Sequence, residues 1–95
     1  MLMYLKNHIV DEINGALDYM QKAIEHKGTY EGCTFRSMSE AELEHANKLT
    51  HMFRSAEKPS DMTDKEYADA QKSVLDAYVD AMGQIEAMKK LYISL

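Results

Sequence analysis

Residues 3–27 alternate apolar and polar positions with the period of an amphipathic α-helix, helix 1. Its apolar side chains recur three and four residues apart in two neighbouring rows. Two adjacent rows make a stripe too wide for one neighbouring helix, so we expect helix 1 to contact at least two others. The rows are Leu5, Ile9, Ala16 and Ala23, and Val10, Ile13, Leu17, Met20 and Ile24.

A second amphipathic segment predicts helix 2 at about residues 34–56. Gly28 and Gly32 bracket the short stretch before it, and a short connection favours an antiparallel hairpin with helix 1. The helix is expected to end before Pro59, because a proline inside a helix removes a hydrogen bond. Its apolar rows are Phe35, Met38, Leu49, Met52 and Ala56, and Leu43, Ala46 and Phe53.

A third helix is predicted at about residues 63–94. Thr63 and Glu66 have the spacing of a capping box, which marks a helix N-terminus. The chain is thus expected to be all-α, one domain of residues 1–95 with an antiparallel hairpin and a long C-terminal helix. The third helix carries a heptad-like apolar seam, formed by Val74, Tyr78, Ala81, Ile85, Met88, Tyr92 and Leu95.

Composition and charge limit the classes of partner that we expect for this protein. The net charge is −5 with no basic tract, so we expect no nucleic acid partner, since phosphate binding needs clustered Lys and Arg. No apolar run approaches the roughly 20 residues that span a bilayer. The first residues lack the basic-then-apolar order of a signal peptide. With Cys33 as the only cysteine, a cytoplasmic protein is expected. A chain of 95 residues buries a modest fraction of its surface, so we expect it to oligomerise.

Polar side chains interrupt the apolar rows in phase. Glu12 falls in the helix 1 row between Ile9 and Ala16, and Glu42 and His45 fall in the helix 2 row. Carboxylates among apolar neighbours are usually paired or bound to metal, because burying them alone is costly. Counted outward from Tyr30, the mean axial offset between Glu12 and the pair on helix 2 is about 7 Å at 1.5 Å per residue. That spacing permits the three side chains to converge.

Glu42 and His45 form a Glu-x-x-His pair, which places both on one helix face. A complete dinuclear site in a four-helix bundle takes a Glu from each of two helices and a Glu-x-x-His from each of the other two. Glu12, Glu42 and His45 are therefore half of such a site, which a second copy would complete. Carboxylates with some imidazole suit iron, with manganese also possible.

This pattern resembles the encapsulated ferritins, short ferritin-like di-iron proteins that each carry half a ferroxidase site. As in that family, Tyr19 follows Glu12 by seven residues, and the Glu-x-x-His begins 30 residues after Glu12. The similarity covers about residues 9–53. The chain departs from the family at Asp18, where the family usually has Trp.

The resemblance implies a fold and an activity. Two chains would dimerise into a ferritin-like four-helix bundle and oxidise Fe(II) to Fe(III) with dioxygen, in iron storage or detoxification. Glu12, Glu42 and His45 would be the metal ligands, and the catalytic residues would be these three together with Tyr19 beside them. The dimers would build a ring inside an encapsulin shell, although residues 89–95 do not resemble a shell-targeting tail.

Two other functions fit the same residues. One is a helical assembly or adaptor module without enzymatic activity, whose third helix binds a partner as a coiled coil. In that case Glu42 is a solvated helix residue and His45 a half-buried one. The other is a protein that binds two Fe or Mn ions without oxidase turnover.

Overall fold

Three α-helices make up the computed structural model, which describes all residues Met1–Leu95: α1 (Leu2–Glu25), α2 (Tyr30–Ser55) and α3 (Asp64–Ser94). The prediction of an all-α fold is confirmed. Helices α1 and α2 form an antiparallel hairpin, and α3 returns antiparallel to α2 and packs mainly on α1. The result is a rod of 51 × 19 × 15 Å. None of the three helices is long and apolar enough to cross a bilayer.

Small side chains let α1 and α2 approach each other closely. On α2 the residues Gly32, Ser39 and Ala46 follow one another at intervals of seven, and all three are buried. They face Ala16 and Ala23 of α1, which are also buried. The Ser39 hydroxyl donates a 2.7 Å hydrogen bond to the Ala16 carbonyl, so this polar group is satisfied inside the interface. We call these five residues the small-residue seam.

The hairpin turn lies earlier than the sequence predicted. Helix α1 ends at Glu25, and Gly28 takes a positive φ of 88°, a conformation that glycine adopts without steric cost. Helix α2 then begins at Tyr30, four residues before the predicted start at residue 34, because the Thr29 side chain caps it by accepting from the Gly32 amide. Gly32 is therefore a helical packing residue, and its place in the turn was wrongly predicted.

Helix α3 packs on its own hairpin. The capping box of Thr63 and Glu66 is present, as predicted. Most of the predicted apolar seam packs against the other two helices of the same chain. The packed part ends at Tyr92, since Leu95 is 63 % exposed. Its fully buried members are Val74, Ala81, Ile85 and Tyr92.

Tyr92 fixes the end of α3 to the turn of the hairpin. The Lys27 ammonium donates to the Tyr92 carbonyl at 2.5 Å and lies 4.1 Å from the centroid of its ring. The Arg36 guanidinium lies 5.0 Å from the same centroid. Cations near an aromatic face are attracted by its quadrupole, so the ring ties the end of α3 to the turn and to α2.

Two members of one predicted apolar row of α2 are exposed, while its other three pack against the core. Met38 is 38 % and Met52 54 % exposed, whereas Ser39 and Thr50, which the hydropathy pattern did not select, are buried. The Thr50 hydroxyl donates to the Ala46 carbonyl within α2. The small polar residues therefore face the hairpin interior, and the methionines lie on a surface that α3 does not cover.

Substitution of Gly32 tests the small-residue seam. A Cβ at this position would overlap the His26 carbonyl, so we expect Gly32→Ala to lower the free energy of unfolding by about 1–3 kcal/mol, the usual cost of overpacking. Gly83→Ala is the matched control, because a Cβ there meets nothing within 4 Å. Urea unfolding followed by circular dichroism measures both, and equal stabilities would contradict the close packing.

Candidate metal centre

Glu12, Glu42 and His45 meet across the hairpin. Glu12 Oε2 lies 3.7 Å from His45 Nδ1, and the Glu12 carboxyl is near enough to the Glu42 carboxyl to raise the pKa of Glu42. Measured from the true midpoint of the turn at 27.5, Glu12 lies 15.5 residues before and Glu42 14.5 residues after it. The two carboxyls are therefore nearly level along the hairpin.

One carboxylate oxygen of Glu12 is buried and has no hydrogen-bond partner. Its side chain is 21 % exposed, and its Oε2 atom is buried without a hydrogen bond. His45 is 58 % exposed, so its imidazole lies at the rim, facing solvent. A buried carboxylate oxygen of this kind costs free energy unless a proton or a cation satisfies it.

The proximity of the two carboxyls changes the acidity of one of them. The pKa of Glu42 is raised above its ordinary value of 4.5, chiefly by the hydrogen bond to Glu12, then by burial and by the charge of Glu12. His45 acts in the opposite direction and lowers it. Two carboxylates can share a hydrogen bond only when one is protonated, so the pair favours binding a positive charge.

Gly15 is a site residue that sequence reasoning missed. It lies one turn after Glu12 on α1, and a Cβ there would be 3.1 Å from Glu42 Oε2. The sequence did contain a signal for it. Gly15 lies in the middle of a predicted helix, where no turn requires a glycine. Its bare backbone forms part of the surface on which Glu42 rests.

The three predicted ligands lie on a face of the hairpin that α3 leaves uncovered. Their polar contacts are with one another, and α3 supplies none of them. The exposed Met38 and Met52 share the α2 row of Glu42 and His45, at intervals of four, three and seven residues. We call this surface the open face; it consists of Glu12 and Gly15 on α1 and Met38, Glu42, His45 and Met52 on α2.

Tyr19, the fourth predicted site residue, lies in the next layer of the hairpin. It is half-buried, and its ring stacks on Phe35 with 6.2 Å between centroids and 22° between planes. Seven residues of helix separate it from Glu12, about 10 Å along the axis. Phe35 also contacts the His26 ring at 5.9 Å. Tyr19 thus belongs to a layer of aromatic rings on the turn side of the candidate centre. It makes no polar contact with the three ligands.

Within one protomer, no group of three or more Cys, His, Asp or Glu side chains is arranged to hold a metal ion. Glu12, Glu42 and His45 are adjacent, but they supply an incomplete ligand set, as a half-site does. The donors present fit a divalent cation that prefers oxygen and imidazole, and the unsatisfied Glu12 Oε2 is the atom that such an ion would satisfy.

Comparison of the chain with protein-family models, with curated proteins and with solved structures finds no match. The chemistry of the candidate centre is therefore inferred from its own side chains.

The raised pKa of Glu42 predicts a stability effect that depends on pH. A proton held more tightly in the folded chain stabilises it fully below the unfolded-state pKa of 4.5, and this contribution is lost as pH rises through the folded-state value. We expect Glu42→Gln to stabilise the metal-free protein at neutral pH by about 0.5 kcal/mol, the scale of a partly solvated charge pair. The gain should vanish near pH ~4.

Urea unfolding in the presence of a chelator, at both pH values, measures this difference. Glu44→Gln is the control, because Glu44 is exposed and pairs only with Lys48, so its removal should change little at either pH. A Glu42→Gln gain of equal size at acid and neutral pH would contradict the role of the carboxyl pair.

Proposed function

We propose that this protein is a ferroxidase of the encapsulated-ferritin type, which oxidises Fe(II) to Fe(III) at a di-iron site shared by two protomers. The observation that carries the proposal is the Glu12–Glu42 carboxyl pair, with its buried and unsatisfied Glu12 Oε2. His45 beside it adds the nitrogen donor. Such a set favours a cation, and the only basic side chain paired with it is the exposed imidazole of His45.

Two protomers with their open faces together would balance the charge of two divalent ions. Each contributes the carboxylates of Glu12 and Glu42, so a dimer brings four negative charges and two imidazoles to the centre. Two Fe(II) ions carry four positive charges. The neutral sum offsets the desolvation of charges that would otherwise repel one another. The exposed Met38 and Met52 would supply apolar contact around the centre.

The residues of the chain have distinct tasks in this reaction. Fe(II), the substrate, supplies the electrons that reduce dioxygen. The Glu12 and Glu42 carboxylates fix the positions of the ions and favour the higher charge of Fe(III), because anionic oxygen ligands bind it more strongly. His45, half exposed at the rim, is placed to complete the ligand set once a second protomer excludes water. The Tyr19–Phe35 layer bounds the site on the side of the turn.

Removal of one ligand tests the activity. We expect Glu42→Ala to lower the initial rate of aerobic Fe(II) oxidation by about tenfold or more. Even mutation of residues that only hydrogen-bond to a metal ligand usually lowers metal affinity or activity by about 10–100-fold. Glu44→Ala, which removes an exposed carboxylate two residues away, should keep the rate of the unaltered chain. Ferric absorbance against a protein-free blank measures the rates, and an unaltered chain no faster than the blank would refute the proposal.

A site shared between protomers predicts dimerisation that depends on metal. Each ion that binds only the dimer should tighten association about 100-fold when its free concentration is 100 times its Kd, so two ions should tighten it about 10⁴-fold. We expect Mn(II), which is stable in air, to lower the dimer dissociation constant by that order in sedimentation equilibrium. The effect should be lost in Glu12→Ala and kept in Glu44→Ala. Tight metal binding by a monomer would contradict a shared site.

An assembly module without enzymatic activity is the second candidate. Exposed apolar side chains at the end of α3 favour it, namely Leu91, Ile93 and Leu95. The heptad seam of α3 as far as Tyr92, however, packs on its own hairpin, so this part is not free to bind a partner. An assembly of this kind should form equally well in Glu42→Ala, which separates it from the ferroxidase.

A further inference from the structure

Gly15 occupies a helical position where glycine has no conformational reason to be. It lies inside α1, and Gly28 is the only glycine with a positive φ. Glycine inside a helix is unfavourable relative to alanine. Gly83 shows that a helical glycine can face open space, so a role for Gly15 depends on what surrounds it.

The space above Gly15 is filled by one side chain. A Cβ at this position would meet Glu42 Oε2 at 3.1 Å, Glu42 Cδ at 3.4 Å and Glu42 Cγ at 3.6 Å, and these are its three nearest neighbours. The first distance is shorter than a comfortable carbon–oxygen contact. An alanine would therefore push the Glu42 carboxyl by a few tenths of an ångström, away from the backbone of α1.

The direction of that movement matters because Glu12 projects from the same helix, one turn before Gly15. We propose that Gly15 is a positioning residue for the metal centre: its missing side chain lets the Glu42 carboxyl rest on α1 beside Glu12, in the arrangement that binds Fe(II). This role rests on the proposed function. Gly15 itself touches no substrate and acts through Glu42 alone.

Gly83 provides a matched control. It is also a glycine inside a long helix, and a Cβ there would meet nothing within 4 Å. Gly83→Ala should therefore show the gain in helix stability without any change at the metal centre. Both alanine variants should raise the Tm of the metal-free protein by about 4 °C.

The experiment is anaerobic titration of Fe(II) into each variant by calorimetry, with Tm and sedimentation measured on the same samples. We expect Gly15→Ala to bind Fe(II) about tenfold more weakly than the unaltered chain, the usual cost of disturbing the support of a ligand. Gly83→Ala should bind with unchanged affinity. Both should keep the oligomeric state of the unaltered chain.

A second background shows whether Gly15 acts through Glu42. Glu42→Asp withdraws the carboxyl by one methylene group, so an alanine at position 15 should no longer press on it. In that background Gly15→Ala should cost less than about threefold in Fe(II) affinity, because residues that act through one contact are not additive. An undiminished tenfold cost would overturn the positioning role.

The other outcomes separate the two proposals. Failure of the unaltered chain to bind Fe(II) would overturn the ferroxidase and the role of Gly15 together. Equal affinity in Gly15→Ala and the unaltered chain would overturn the role of Gly15 alone. A lower Tm or an altered oligomeric state in Gly15→Ala would assign the glycine to helix packing or to the dimer interface, and would overturn it as well.

Discussion

The close approach of α1 and α2 along the small-residue seam is the constraint on which the candidate centre depends. Gly32 has no side chain to hold the helices apart, and Ser39 satisfies its hydroxyl on the Ala16 carbonyl. Glu12 and Glu42 project from positions beside this seam, so their distance is set by the packing behind them. The same contact that stabilises the hairpin brings the two carboxyls together and leaves one oxygen of Glu12 unsatisfied.

In the proposed centre, the stability of the metal-free chain would be opposed to the affinity for metal. In the metal-free chain the carboxyl pair is unfavourable, as the raised pKa of Glu42 indicates, and the apolar core of the three helices must offset it. A cation bound at the proposed centre would remove this repulsion, and its binding would gain the corresponding free energy. Gly15 adds to the same balance, because its bare backbone weakens α1 and makes room for Glu42.

The sequence predicted the number and type of the helices, the capping box at Thr63 and the shared face of the three polar residues. It misplaced the turn, because Gly32 looks like a turn residue when its neighbour across the hairpin is unknown. With the midpoint at 27.5 the expected offset of about 7 Å between the helices almost disappears. It also chose Met38 over Ser39 as buried, since hydropathy cannot show that a hydroxyl will find a carbonyl on the facing helix.

The place of α3 explains how a chain of 95 residues could keep a polar centre at its surface. A hairpin alone would have a thin core, and packing α3 along α1 adds Val74, Ala81 and Ile85 to it. Had α3 covered the opposite flank, it would have sealed Glu12 and Glu42 under apolar side chains, where no second ligand set could reach them. By covering one flank only, α3 stabilises the protomer and leaves the open face available for the protomer that the proposed centre requires.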